Sequence, residues 1–523
     1  MPATALMVGA SGHARDMSPD RATPPAGTAR RKPGAKGSGR APARPSSQTR
    51  RRTKIVATIG PASDAAETLI QMAKAGMDVA RVPLAHSSMA EAMERIRRIR
   101  AIIPQVAVLA DLPGPKIRCT HFPDGGATLS AGDEILLAPG SAAPSSTAVR
   151  VGVALDEAVA DLAEGDRVAI GDGGVSLVVV GRRGDDAVCA VVSGGRLQGQ
   201  PGVTIPASRI SLTTPTPQDI ERIHELVAEG VDHIAVSFVR FPADMVAARA
   251  ALGGDKTMLI AKIETADGVA HLDEILRQSD AVMVARGDLG VRVPLEDVPH
   301  LQKVIIRTGV RLGLPVITAT QMLESMINLP VPTRAEVTDV ANAVLDGTSA
   351  VMLSAETAIG RDPVRVCETM ARIVLRTEED FDYLGWGSRL DPQEVAGDAL
   401  APAHVTAAIT AAGWRAALEM GAVAIVACTR SGATARAISR FRPRTRIVAA
   451  TTSRRVQRQL ALSWGVEAVI VGDSVSTDDV IRQAVDATVA AGAARTGDVV
   501  VVLAGSPHSE VVVSNTLEVV RVT

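Results

Sequence analysis

Aromatic residues are nearly missing: the 523 residues include five Phe, three Trp and one Tyr. That scarcity excludes single-strand nucleic-acid binding on stacked aromatic platforms and interfaces anchored by aromatic side chains. The core has to be assembled from Ala, Val, Leu and Ile instead. Cysteine is equally sparse. Cys119, Cys189, Cys367 and Cys428 lie far apart and no CxxC pair occurs, which argues against a disulfide framework or a zinc site and fits a reducing cytoplasm. No apolar run approaches the roughly 18 residues of a membrane span, so no membrane partner is expected. Neither GxxxxGK[ST] nor GxGxxG is present, so Walker-type and Rossmann nucleotide binding are not supported.

Net charge is also small, at -1, but it is a cancellation. Residues 1–52 hold eleven basic residues against two acidic ones, an excess of nine, which leaves the remaining chain with an excess of ten acidic residues. Residues 1–51 are rich in Ala, Pro, Gly, Ser and Arg and show no hydrophobic period, the composition of a disordered basic N-terminal tail. A solubilising extension is the preferred reading of it, ahead of an arm for nucleic acid or an acidic surface. An organelle transit peptide would also be Arg-rich and acid-poor. No long apolar segment follows the N-terminus, so secretion is not expected.

From residue 53 short apolar runs alternate with helix-period segments. The runs are Lys54–Gly60, Val79–Val82, Val106–Leu112, His233–Phe238, Met258–Glu264, Ala281–Ala285, Pro315–Thr320 and Ala350–Glu356. Unalternated apolar strands are buried on both faces, the mark of a parallel sheet. Amphipathic helices lie between most of them, for example Ala66–Ala75, which Gly76 closes at its C′ position. Eight such strands predict an α/β fold built on a (β/α)8 TIM barrel. The gap between Leu112 and His233 is too long for a crossover. Its Gly-rich turns, such as Asp124-Gly125-Gly126, and its β-branched runs predict an inserted small β-barrel-like lid domain over 119–206. The barrel then covers 52–118 and 207–383. A second strand–helix pattern over 384–523, with runs Ala422–Cys428, Ile447–Ala450, Ala468–Val471 and Val499–Ala504, predicts a C-terminal α/β domain.

Barrel enzymes carry their chemistry at the C-terminal ends of the strands. Those positions hold Arg81, His86, Asp111, Lys116, Arg118, Lys262, Glu264, Asp288, Thr320 and Glu356, a convergence that chance surface placement explains poorly. Glu264 and Asp288 sit on neighbouring strands, and Mg²⁺ usually takes one or two protein carboxylates and completes its shell with phosphate oxygens and water. Lys262 alternates with Glu264 on one strand, so both face the same way, and a lysine beside a carboxylate–metal site can neutralise a phosphoryl group in transfer. A buried salt bridge is the structural alternative for that pair. The segment Ala285-Arg286-Gly287-Asp288-Leu289-Gly290 opens a strand end onto a Gly-punctuated turn whose backbone N–H groups suit a phosphate.

These residues carry a resemblance. The segments RRTKIVATIGPAS (51–63), GMDVAR (76–81), DLPGPKIR (111–118), SFVR (237–240), IAKIETADGV (260–269), MVARGDLGV (283–291), ATQMLESM (319–326), the long run 332–358 and SGATARAISRFRP (431–443) resemble those of pyruvate kinases, in the family's order and over about residues 51–523. The resemblance implies phosphoryl transfer from phosphoenolpyruvate to ADP, giving pyruvate and ATP in the last step of glycolysis. It implies that Lys262 stabilises the transferring group and the enolate, that Glu264 and Asp288 ligate Mg²⁺ (or Mn²⁺ in its place), and that Arg81, Gly287, Asp288 and Thr320 hold substrate. Thr320 would sit where the enolate is protonated. His86 and Arg118 would touch the nucleotide, with Asp172 in a lid turn facing it, and the inserted domain would close as a lid. A cytoplasmic homotetramer is the family's usual state.

The chain also departs from the family. Its usual strand-two motif Arg-Leu-Asn-Phe-Ser-His stands here as Arg81-Val82-Pro83-Leu84-Ala85-His86, and the Thr after Asp111 is Leu112. The side-chain oxygens that ligate a monovalent cation are gone, while the family's common Glu has become Lys116. We expect Lys116 to act as a cation surrogate, supplying the charge that K⁺ supplies elsewhere, so that K⁺ is not required. Pro113 and Pro201 replace lysines of the family pattern, the second in the lid. In the C-terminal domain Thr429, Ser431, Gly432 and Thr434 join a strand to a helix, where the resemblance suggests a phosphorylated effector and an ordinary turn is the alternative. Two other functions compete with the main one: a metal-dependent pyruvate or phosphoenolpyruvate barrel lyase, and a catalytically weak regulatory paralogue. Nucleic acid is not expected as a partner, except through the tail.

Overall fold

The structure, a computed structural model, describes residues 50–85, 87–171, 174–205, 213–390, 402–505 and 513–523. The tail expected over 1–51 thus lies outside the described residues except for its end. That end is fastened to the body: Arg50 pairs with Glu467 at 2.6 Å, and Arg51 donates to Asp78 at 2.7 Å and to the Gly76 carbonyl at 2.5 Å.

The eight expected strands close into a parallel barrel. They are Lys54–Thr58, Val79–Pro83, Ala107–Asp111, His233–Val236, Met258–Ile263, Ala281–Ala285, Val316–Ala319 and Ala350–Leu353, paired in sequence order around the ring. The first and eighth strands complete it, with Lys54 opposite Ala350. Several strands end a residue or more before the apolar run does, because the chain leaves the sheet there: Phe238 and Thr320 have φ of 59° and 70°, which no strand accommodates. The helix expected over Ala66–Ala75 forms there, and Gly76 ends it at φ 114°, a value that a Cβ would strain.

Burial on both faces of the strands is confirmed residue by residue. One face fills the barrel with Val56, Val79, Leu109, Ile260, Met283 and Ile317 among others. The other packs against the surrounding helices through residues such as Ile55, Val108, Leu259 and Val282. The barrel interior also takes in Leu462, which is fully buried and belongs to the C-terminal domain.

The inserted domain is built from a six-stranded sheet, ordered Val203–Thr204, Arg167–Ile170, Val175–Arg183, Asp186–Ser193, Glu134–Pro139 and Arg150–Val153. A two-stranded ribbon of Phe122–Leu129 and Gly195–Gly199 accompanies it. It has its own core around Phe122, Ile135, Leu137, Ile170 and Leu177. The C-terminal domain carries five strands rather than the four read from the sequence. Val466–Ile470, Arg446–Thr451, Ala424–Cys428 and Val499–Ala504 are parallel, and Thr516–Arg521 adds an antiparallel edge. The added strand is mostly half-exposed or exposed, so it lacks the continuous apolar run that marked the others. No helix among the described residues is long and apolar enough to cross a membrane.

The C-terminal domain docks under the barrel, against the N-terminal ends of the strands. The Lys54 ammonium donates to the Val466 carbonyl at 2.9 Å, and the His233 ring lies 3.2 Å from the Gln459 carbonyl. Arg458 pairs with Asp232 at 2.9 Å. Arg442 is the largest fully buried side chain. Its guanidinium donates to the Ser439 carbonyl at 3.0 Å, the Gly347 carbonyl at 2.8 Å and the Ser349 hydroxyl at 3.1 Å, and lies 4.9 Å over the Trp464 ring. Burial pushes its pKa down to about 9. All its hydrogen-bond acceptors are neutral, so the charge is held mainly by dipoles and a ring, with the Glu378 charge offsetting part of the burial. Replacing it with Met removes these bonds and leaves buried carbonyls unpaired. We expect Arg442→Met to destabilise the protein by about 3 kcal/mol, read as a lower urea midpoint.

Candidate active site

The opposite, C-terminal mouth of the barrel holds the charged residues singled out in the sequence. A cleft of about 860 Å³ opens there, lined by Arg81, Asp111, Lys116, Lys262, Glu264 and Asp288 among others. Its centre is the Lys262 ammonium, 8% exposed. The fifth strand aims Lys262 and Glu264 to one side, and Lys262 Nζ lies 3.0 Å from Glu264 Oε1 and 3.1 Å from Asp111 Oδ1. It also donates to Ser237 Oγ at 2.7 Å, and Ser237 passes its proton on to the Leu112 carbonyl at 2.7 Å. Burial alone opposes a charged lysine, but Asp111 and Glu264 overrule it and hold the ammonium well above the usual lysine range.

Asp111 is the hinge of this network. Its second oxygen accepts from Arg81 Nε at 2.7 Å, and Arg81 Nη1 reaches Thr58 Oγ1 at 3.0 Å. Burial would raise its pKa, yet the charges of Lys262 and Arg81 keep it below the usual carboxylate range. Glu264 is fully buried, and burial raises its pKa against the pull of Lys262. Its Oε2 accepts the Phe238 N–H at 2.8 Å. Its Oε1 pairs with the Lys262 ammonium at 3.0 Å, although not as a well-directed hydrogen bond. Asp288 is partly exposed in the short helix Arg286–Gly290, and its Oδ1 lies 3.7 Å from Lys116 Nζ and 3.8 Å from Arg292 Nη1.

Two carboxylates at one mouth suit a hard cation that takes few protein ligands and keeps water or phosphate in its remaining positions. No group of three or more His, Cys, Asp or Glu side chains that could hold a metal occurs among the described residues.

Thr320 follows the seventh strand at φ 70°, an uncommon conformation for a β-branched residue. Arg286 holds it there, donating to the Thr320 carbonyl at 2.6 Å and the Ala319 carbonyl at 3.2 Å. The Thr320 hydroxyl accepts the Gly287 N–H at 2.8 Å. That amide, expected to contact substrate, therefore spends its proton on Thr320.

The structure thus brings together Arg81, Lys116, Lys262, Glu264, Gly287, Asp288 and Thr320. Arg118 is placed differently: its guanidinium donates to the Gln200 carbonyl at 3.1 Å, and it does not line the cleft. His86 and Asp172 lie outside the described residues. In the C-terminal domain Thr429 Oγ1 accepts the Gly432 N–H at 2.9 Å, and Thr434 Oγ1 lies 2.6 Å from Ser514 Oγ. Of the four residues named there, two thus already engage neighbours through their side chains. Sequence reasoning missed Ser237 and Arg286 as supports of the site. Both are polar residues closing an apolar strand, the same signal that exposed Lys262 and Asp111.

With this geometry in view, two families match the chain. "Pyruvate kinase, barrel domain" covers residues 50–367 and "Pyruvate kinase, alpha/beta domain" covers 407–520. Curated proteins named pyruvate kinase are similar over most of the chain. One from Geobacillus stearothermophilus is 39% identical over 479 residues, 90% of this chain and 80% of its own length. One from Staphylococcus saprophyticus is 40% identical over 470 residues, 88% of this chain and 78% of its own. One from Staphylococcus aureus is 39% identical over 478 residues, 90% and 80% respectively.

The Asp111 network has a pH signature. A carboxylate whose pKa is depressed on folding stabilises the protein above its unfolded value of about 3.9, and loses that contribution as pH falls through the folded value. Asp111→Asn leaves Lys262 and Arg81 without their shared anion and should cost about 3 kcal/mol at pH 7. In denaturation series the gap between Asp111→Asn and the unsubstituted protein should close only below about pH 4.

Proposed function

The chain belongs to the pyruvate kinase family, and we propose how its own residues divide the work of that family's reaction. The enzyme moves a phosphoryl group between phosphoenolpyruvate and pyruvate, with ADP and ATP as the nucleotides. In the forward direction the enol P–O bond breaks, the phosphoryl group passes to the terminal oxygen of ADP, and the enolate left behind takes a proton at carbon to become pyruvate.

The observation that carries the assignment is the buried Lys262 ammonium between Asp111 and Glu264 at the barrel mouth. Held charged in a poorly hydrated site, it meets the negative charge that develops on the phosphoryl oxygens and the enolate oxygen. Arg81, already oriented by Asp111 and Thr58, binds the phosphate of the substrate. Glu264 and Asp288 would hold Mg²⁺, or Mn²⁺ in its place, which would supply positive charge to the phosphoryl oxygens. The Thr320 hydroxyl, fixed by the Gly287 amide, stands where the enolate carbon receives its proton. The inserted domain closes over the nucleotide and excludes water. Intact Lys262, Glu264, Asp288 and Thr320 disfavour a catalytically weak paralogue. The inserted domain disfavours a barrel lyase, which has no need of a nucleotide lid.

The same reading makes the enzyme independent of K⁺. Pro83 and Ala85 offer no side-chain oxygen, and the Leu112 carbonyl already accepts the Ser237 hydroxyl. Lys116 Nζ instead places a fixed positive charge 3.7 Å from Asp288. Its stem rests on the lid: a Cβ at Gly202 would sit 3.0 Å from Lys116 Cε, so lid closure and the surrogate charge share one contact. Assembly as a cytoplasmic homotetramer, and a phosphorylated effector near Ser431, remain with this proposal as family expectations.

Two measurements test the reading. In a coupled assay of pyruvate formation, Lys262→Met should abolish turnover while leaving the fold intact; retained turnover would overturn the assignment. Replacing tetramethylammonium by K⁺ at constant ionic strength should leave the rate of the unsubstituted enzyme unchanged, and Lys116→Glu should lower it at least tenfold in the absence of K⁺. A strong activation of the unsubstituted enzyme by K⁺ would rule out the surrogate.

A further inference from the structure

Arg292 follows the Gly-punctuated turn after the sixth strand and does not line the cleft. It faces a separate cavity of about 660 Å³ between the lid strand at Val203 and the barrel loops. Phe238 lines both cavities and forms part of the wall between them.

Three contacts of Arg292 converge on the two metal-holding carboxylates. Its Nη1 donates to the Asp288 carbonyl oxygen at 2.9 Å, one helical turn back, which fixes the end of the short helix carrying Asp288. The same nitrogen lies 3.8 Å from Asp288 Oδ1. Lys116 lies 3.7 Å from that same oxygen, so two cations bear on Asp288 Oδ1. The third contact is a stack: the guanidinium carbon lies 4.7 Å over the Phe238 ring.

Phe238 is the link to Glu264. It sits at φ 59° with its N–H 2.8 Å from Glu264 Oε2. That left-handed conformation has to be held from outside, because a bulky residue does not choose it freely. Arg292 supports one side of the ring. Gly114 also closes on the ring: an added Cβ there would come within 2.8 Å of Phe238 Cδ2. The ring is thereby clamped, and the amide that orients Glu264 is clamped with it. We propose that Arg292 is a positioning residue, which sets the orientation of Asp288 directly and of Glu264 through Phe238, and so prepares the pair for a divalent cation before substrate arrives.

The inference rests on the assignment of Glu264 and Asp288 to the metal, and the experiment separates the two. Mn²⁺ alone is titrated into the full-length protein, without nucleotide or phosphoenolpyruvate, and the free ion is counted by electron paramagnetic resonance. Glu264→Gln should remove the tight site; if it does not, the metal assignment falls and this inference with it. Given that loss, Arg292→Gln should weaken Mn²⁺ binding about tenfold, and Arg292→Lys should recover only part of it, keeping charge but not the fork or the flat stack. Phe238→Leu retains the backbone N–H and should weaken binding in the same direction. Combined with Arg292→Gln it should add little, because both substitutions break one chain of contacts. Thermal melts within a few degrees of the unsubstituted protein show that each variant is folded. Were Arg292 merely a repelling charge, Arg292→Gln would tighten Mn²⁺ binding. Tightened binding, unchanged binding, or full additivity with Phe238→Leu overturns the proposal.

Discussion

A single buried ammonium organises the catalytic end of this molecule. Lys262 cannot be charged inside the barrel mouth unless anions surround it, and two carboxylates and a hydroxyl do so. Each partner then needs a partner of its own. Asp111 recruits Arg81, Ser237 turns to the Leu112 carbonyl, and Glu264 takes the Phe238 amide. The result is a polar network in which nearly every member is satisfied, a condition under which buried polar groups specify a unique arrangement. Glu264 Oε1 is held by the Lys262 charge at 3.0 Å without a well-directed hydrogen bond, so it keeps lone-pair capacity for a ligand.

The two ends of the barrel are put to different use. The mouth gathers charge around a cleft. The floor is closed by a second domain through Lys54, His233, Arg442 and Arg458, with contacts that are as polar but made to partners within the protein. The division follows from parallel strands: all eight run the same way, so side chains just beyond their C-terminal ends meet in one place and those before their N-terminal ends in another.

The barrel was legible because its strands are buried on both faces, and a continuous apolar run is hard to mistake when eight of them recur between amphipathic helices. The edge strand Thr516–Arg521 was not, since exposure removes that signal. The charged residues of the mouth were legible from position alone: a Lys or Asp at the end of an apolar run has few structural excuses. Ser237 and Arg286 close apolar strands too, but they act through backbone carbonyls, so their role emerged only from distances. Arg118 illustrates the converse. A basic residue in a recognised motif points to a function, but its direction depends on the lid, whose Gln200 carbonyl holds it.

Leu462 changes what counts as a domain here. It is fully buried in the barrel's interior although it comes from the C-terminal segment, between Gln459, which reaches His233, and Trp464, which stacks on Arg442. Family boundaries at 367 and 407 mark where sequences can be recognised separately. They do not mark where the hydrophobic interior ends. A barrel excised at those limits would lose Leu462 from its interior cluster and open its floor to water, so the catalytic segment is in this sense not autonomous but sealed by the part of the chain that follows it.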